Sequence, residues 1–182
     1  MIATGMMYLR ILFLAFIFNP SVAFQLSIPF IGMFLVSLGL SRFAKGKKQE
    51  MDVNENNDTL VKSNKNPLEL RTAAIFGVLF VIFAVVTDIV LKRYGSSGVT
   101  GMAFVVGVTD IDPFLLNLLQ QNAGIAQITI VLAILNATNS NNILKMVYAI
   151  SLASKKIRKS LIINFSTLII SGLLLSLIFY LT

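Results

Sequence analysis

Few residues in this chain can do acid–base or ionic chemistry, and they gather in two places. The stretch "GVTDIDPF", Gly107 to Phe114, sets Asp110 and Asp112 two positions apart inside an apolar run. Together with the Thr109 hydroxyl, these carboxylates offer oxygen ligands suited to protons, Na⁺ or Mg²⁺. A carboxylate in lipid is costly unless it is paired, protonated or hydrated, so a pair of them there implies a site. The second cluster is Asn136, Thr138, Asn139, Ser140, Asn141 and Asn142, with Lys145 one turn after Asn141. Its amides and hydroxyls can line a polar path, and Lys145 can act as a counter-charge to Asp110 or Asp112. Arg10 is the single charge inside the first apolar run. It either sits at the membrane edge or needs a carboxylate partner.

The backbone has to bring these groups together. On a continuous helix, residues two apart lie about 200° apart and cannot share a site. On an unwound stretch they can. Gly107 reads as a helix stop. Asp112 followed by Pro113 reads as an N-cap and a first helical residue. The sequence therefore predicts a broken helix near 107–113, which membranes tolerate where it faces protein or a water-filled cavity. The plainer alternative puts both aspartates at the membrane surface. They would then cap one span over 113–138 that carries Gln120, Gln121 and Asn122. Likewise "NATNSNN" is either a second discontinuity facing the first or an external turn, with Lys145 snorkelling to the interface.

Around these groups the chain is 56% hydrophobic and 13% charged, with a mean hydropathy of +0.83. Soluble domains are about a quarter charged. Continuous rather than alternating apolar runs argue against a barrel and point to an all-α integral membrane protein, a polytopic helical bundle of six to seven spans. The spans read as 2–18, 22–41, 67–91, 99–121, 125–138, 142–154 and 160–181, within a single membrane domain. Residues 125–154 thus form a short-armed helical hairpin, crossing twice or re-entrant. Residues 42–66 are polar and of mixed charge, which predicts a mobile cytoplasmic loop. "NPLELRTA" restarts order with Asn66 as cap, Pro67 at the first position and Glu69 at the third. Asp88 and Lys92 are spaced for a local ion pair.

The net charge of +7 follows from basic loops. With residues 42–66 inside, Arg42, Lys45, Lys47, Lys48, Lys62 and Lys65 lie on one side, joined by the four basic residues of "KKIRK", 155–159. Only Lys92 and Arg93 lie opposite. That places the N-terminus in the cytoplasm. Arg10, the following apolar run and "SVA" before Phe24 also resemble a signal peptide, but a second apolar run follows immediately. The absence of cysteine and histidine removes thiol chemistry, disulfides, the usual haem and zinc ligands and a Ser-His-Asp triad. No basic surface is interleaved with aromatics, so nucleic acid is not an expected partner. No cofactor is expected either, and the identity of any metal is open.

"MYLRILFLAFIFNP", "NPLELRTA", "GVTDIDPF" and "NNILK", in this order, resemble the bacterial membrane family catalogued as domain of unknown function 4010, whose members are often linked to an MgtC/SapB-type module. The family's Gly-x-x-Asp-x-Asp segment falls on Gly107, Asp110 and Asp112. Its Asn-x-x-x-Lys motif falls on Asn141 and Lys145, and its arginine on Arg10. Family members carry further helices upstream, so the chain resembles a C-terminal portion. A separately encoded upstream half or a homo-oligomer would then complete it. The resemblance implies a multi-pass protein of the bacterial cytoplasmic membrane, but no substrate. Two functions are expected from this reading. One is transport of a small ion or solute at Thr109, Asp110, Asp112, Asn136, Asn139, Asn141 and Lys145. The other is a non-transporting subunit that assembles with or regulates another membrane protein. An aspartyl dyad is the weakest option, because such dyads draw their carboxylates from separate segments, so the chain is not expected to be an enzyme.

Overall fold

The computed structural model describes residues 2–44, 67–120, 125–153 and 155–181, without the side chains of 42–44, 67–73, 155 and 156. The loop expected at 42–66, the Asn66 cap, the Glu69 side chain and Gln121 and Asn122 therefore lie outside the described residues, apart from the helical backbone of 42–44. The described residues form six helices and no strand: α1 (Ile2–Phe18), α2 (Pro20–Ala44), α3 (Pro67–Val106), α4 (Ile111–Gln120), α5 (Gln127–Leu152) and α6 (Lys155–Leu181).

Three stretches are long and apolar enough to cross a membrane: Pro20–Ser41, Ala74–Val106 and Ile157–Leu181. Ile2–Phe18 is a shorter apolar helix. That is fewer than the six to seven spans expected. The large apolar residues Phe13, Phe24, Ile28, Val81, Val85, Leu174 and Ile178 are all exposed. In water such a surface would be a liability. In lipid it is the normal exterior, and the chain is a helical membrane protein.

Helices α1 and α2 form an antiparallel hairpin hinged at Asn19. The Asn19 N–H donates to Ala15 O, and its side-chain oxygen accepts from the Val22 N–H at 3.3 Å, so one residue ends the first helix and caps the second. The hairpin zips through Phe16 against Phe24 and Tyr8 against Phe30. Pro29 is carried inside α2. Helices α5 and α6 make a second antiparallel pair, with Ser176 Oγ donating to Asn136 Oδ1 at 3.0 Å.

Helix α3 has two limbs, residues 67–94 and 96–106. Gly95 joins them with φ 64° and ψ −156°, a conformation open essentially to glycine. A methyl group on Gly98 would sit 3.3 Å from the Val90 carbonyl oxygen, whereas eight residues of straight helix span about 12 Å. The second limb therefore turns back on the first. Lys92 bonds Asp88 at 2.8 Å just before this turn, as their spacing predicts. The core lies where α4 is enclosed. Phe114, Leu115, Leu118 and Leu119 are fully buried, and Phe114 meets Phe83 of the first α3 limb at 6.0 Å between rings.

One expectation is overturned. Residues 125–154 are not a hairpin of two short arms: α5 runs unbroken for 26 residues through "NATNSNN". Asparagine and serine break helices mainly by bonding their own backbone. Here Thr138 Oγ1 bonds the Ile134 carbonyl at 2.6 Å, which a helix permits, and three of the asparagines donate to or accept from distant segments. The segment also contains neither glycine nor proline. With one helix in place of two arms, the crossing count behind the charge argument changes. The single span over 113–138 is likewise absent, since α4 ends at Gln120 and α5 begins at Gln127.

Candidate functional site

The predicted break exists. Helix α3 ends at Val106, α4 begins at Ile111, and residues 107–110 are unwound between them. Gly107 is required by close approach: a Cβ there would run into the Ala137 carbonyl and Ser140 of α5. Thr109 Oγ1 donates to Val106 O at 2.8 Å and closes the end of α3. The cap of α4 differs from the expected one. The Asp112 N–H donates to Asp110 Oδ1 at 3.2 Å, which makes Asp110 the N-cap and places Pro113 at the third helical position. Both assignments fit a first turn, because proline lacks only an N–H that has no intrahelical partner there. The cap bond settles which one forms.

Displacing the cap to Asp110 leaves the Asp112 carboxylate free to reach across. It accepts from Arg10 Nη2 at 2.6 Å. Arg10 is thus paired with a residue 102 positions away. Asn141 Nδ2 donates to the Gly107 carbonyl at 3.3 Å and pins the unwound stretch to α5. Asn142 Nδ2 donates to the buried Tyr8 hydroxyl at 2.8 Å and pins α5 to α1. Lys145 lies with its ammonium 2.8 Å from Met7 Sδ, and it has no ion pair with a described carboxylate.

Beside these contacts lies an open cavity of about 350 Å³ lined by Ala3, Met6, Met7, Arg10, Thr109, Asp110, Ile111, Asn141 and Lys145. It brings together Arg10, Thr109, Asp110, Asn141 and Lys145, with Asp112 held at its rim by Arg10. Asn136 and Asn139 are not part of it. Asn136 binds Ser176 of α6, and Asn139 is buried against Gly172 of α6. Residues 136 and 139 share a helix face that 141 and 145 do not, so one apparent cluster in sequence divides between two interfaces. Tyr8, Met6, Met7 and Ile111 were not foreseen in the site, since nothing local distinguishes them from ordinary core residues. Among the described residues no group of three His, Cys, Asp or Glu side chains is placed to hold a metal.

The fold and site define a helical membrane protein with a charged cavity at a helix break. The chain belongs to the family described as Domain of unknown function (DUF4010), which matches residues 1–153. An uncharacterised protein of Aquifex aeolicus (strain VF5) is 29% identical over 156 residues, covering 84% of this chain and 65% of that protein. No solved structure matches.

Proposed function

We propose that this protein moves a small ion or solute across the bacterial cytoplasmic membrane, through the cavity between α1, the unwound 107–110 segment and α5. The observation that carries this reading is where the cavity falls along its walls. Arg10 is midway along α1, and the Gly107 contacts and Asn141 are midway along α5. If those helices cross the bilayer, the break and its two aspartates lie near the midplane, where broken helices of transporters hold their substrates. Ionisable groups at that depth need partners or water, and the Arg10–Asp112 pair together with an open cavity meets that need. Only one discontinuity supports the reading, because α5 is continuous.

The orientation with residues 42–66 and the N-terminus in the cytoplasm keeps its support after the revision of α5. The antiparallel α1–α2 hairpin returns the chain to its starting side. The buried part of α5 is Thr129–Asn142, and nothing beyond it is buried. We read the second α3 limb and α4 as packing along that half alone, entering from the outer side and turning back at the break. Helix α5 then runs inward, and Lys155–Lys159 face the cytoplasm with the other basic residues.

Single cysteines test this in a chain that has none of its own. Thr109→Cys, Asp110→Cys and Asn141→Cys are expected to react with a membrane-impermeant thiol reagent. Tyr94→Cys and Lys159→Cys are expected to react from opposite sides. A cavity closed to the reagent from both sides would sink the transport reading, and same-side labelling of 94 and 159 would sink the path of the chain.

A second reading, a subunit that assembles with another membrane protein, draws on α3. Among the described residues, Thr87 is the one buried side chain of the first α3 limb between Ala74 and Tyr94. Co-purification with a membrane partner after mild solubilisation would favour it, whereas a stable lone protein would count against it.

A further inference from the structure

We propose that the cavity takes a small zwitterion carrying one ammonium and one carboxylate, such as a small α-amino acid. This rests on the transport reading above and names its substrate class. The charges lining the cavity carry the argument. Arg10 and Asp112 satisfy each other at 2.6 Å. Two opposite charges then remain on the same cavity. The Lys145 ammonium contacts the Met7 thioether and pairs with no described carboxylate, and the Asp110 carboxylate accepts a backbone N–H and pairs with no described cation.

Each simpler ligand leaves one of these unmet. A metal cation would find one uncommitted carboxylate and two neighbouring cations, Arg10 and Lys145. An anion would meet Lys145 but be opposed by Asp110. A zwitterion satisfies both, its carboxylate on Lys145 and its ammonium on Asp110. A further acceptor for the ammonium is at hand. The Thr109 hydroxyl donates its proton to Val106 and keeps its oxygen lone pairs free to accept. Ala3, Met6, Met7 and Ile111 supply apolar wall for a short side chain. A volume of about 350 Å³ is at the small end of the ligand-pocket range.

The test is binding to the purified full chain in detergent, read by thermal unfolding and by radiolabelled ligand. The probes are alanine and leucine, against propionate, isoamylamine, NaCl and MgCl₂. The zwitterions are expected to bind at least about tenfold more tightly than either single-charge analogue, as loss of one charge-assisted contact implies. Lys145→Gln and Asp110→Asn should each lower affinity by about tenfold or more. Lys145→Arg and Asp110→Glu serve as charge-preserving controls for folding, and Lys92→Gln, remote from the cavity, should leave binding unchanged. Binding of MgCl₂ alone, or no binding of either amino acid by a chain whose cavity cysteines label, overturns the substrate class and leaves transport standing. Unlabelled cavity cysteines remove the transport reading beneath it.

Discussion

At the scale of single residues, Arg10–Asp112 and Gly107 determine the site. The ion pair reports its own depth. In water an exposed pair contributes at most about 1 kcal/mol, and the Arg10 side chain is 55% exposed when lipid is left out of account. At the centre of a bilayer an unpaired charge costs about 2.5–3.5 kcal/mol. Arg10→Gln and Asp112→Asn are therefore each expected to destabilise the protein in bilayers by about 2–3 kcal/mol. The double variant should lose less than either single one, as measured by unfolding in bicelles. Losses below about 0.5 kcal/mol in both would put the pair in water at the surface. Gly107 acts through size rather than backbone freedom, since its φ is not positive. Gly107→Ala forces the break away from α5 and should cost about 1–3 kcal/mol. Gly101→Ala meets nothing within 4 Å and should be neutral or stabilising by up to about 1 kcal/mol. Thermal unfolding of the two variants side by side checks both.

Among the elements, α3 matters most, because its two limbs and the break after them carry the aspartates into the fold. The Gly95 turn allows the second limb to fold back and α4 to reach the first limb. An alanine at φ 64° and ψ −156° would cost about 1–3 kcal/mol, and a straight helix through residue 95 would avoid that cost. Gly95→Ala should therefore open the turn. Phe83→Cys with Phe114→Cys provides the readout, since their rings lie 6.0 Å apart. The pair is expected to be bridged by a short bifunctional thiol reagent in the parent background and to lose most of that bridging when Gly95→Ala is added. Undiminished cross-linking would show that the turn does not depend on glycine.

For the whole molecule, the arrangement is a buried short helix, α4, packed among longer apolar helices whose outer faces are not covered by any of the described residues. The first α3 limb shows this most clearly, with Val78, Val81 and Val85 exposed. The chain lacks tryptophan, so one introduced indole can report on lipid contact. Val85→Trp is expected to be quenched strongly by brominated lipid, and Phe114→Trp, at a fully buried position, only weakly. Equal quenching would mean that either the α3 face is covered or α4 is exposed.

Much of this was legible in the residues themselves because it depends on local rules. Long apolar runs must be helical in lipid, so the helical membrane class follows from composition alone. Gly107, the aspartates and Pro113 mark a helix boundary to within two residues, and Asp88–Lys92 is a contact within one turn. The continuity of α5 was legible too, in its lack of glycine and proline, but a run of asparagines pointed the other way. What only the tertiary structure decided is where each polar side chain finds its partner. An asparagine can end a helix by bonding its own backbone or stay within one by bonding a distant group. Tyr8 for Asn142, Gly107 for Asn141 and Ser176 for Asn136 resolve that choice across separations of 134, 34 and 40 residues. The same holds for the charges. Arg10 and two nearby aspartates do not reveal which of them it holds until the α4 cap engages Asp110 and leaves Asp112 to the arginine.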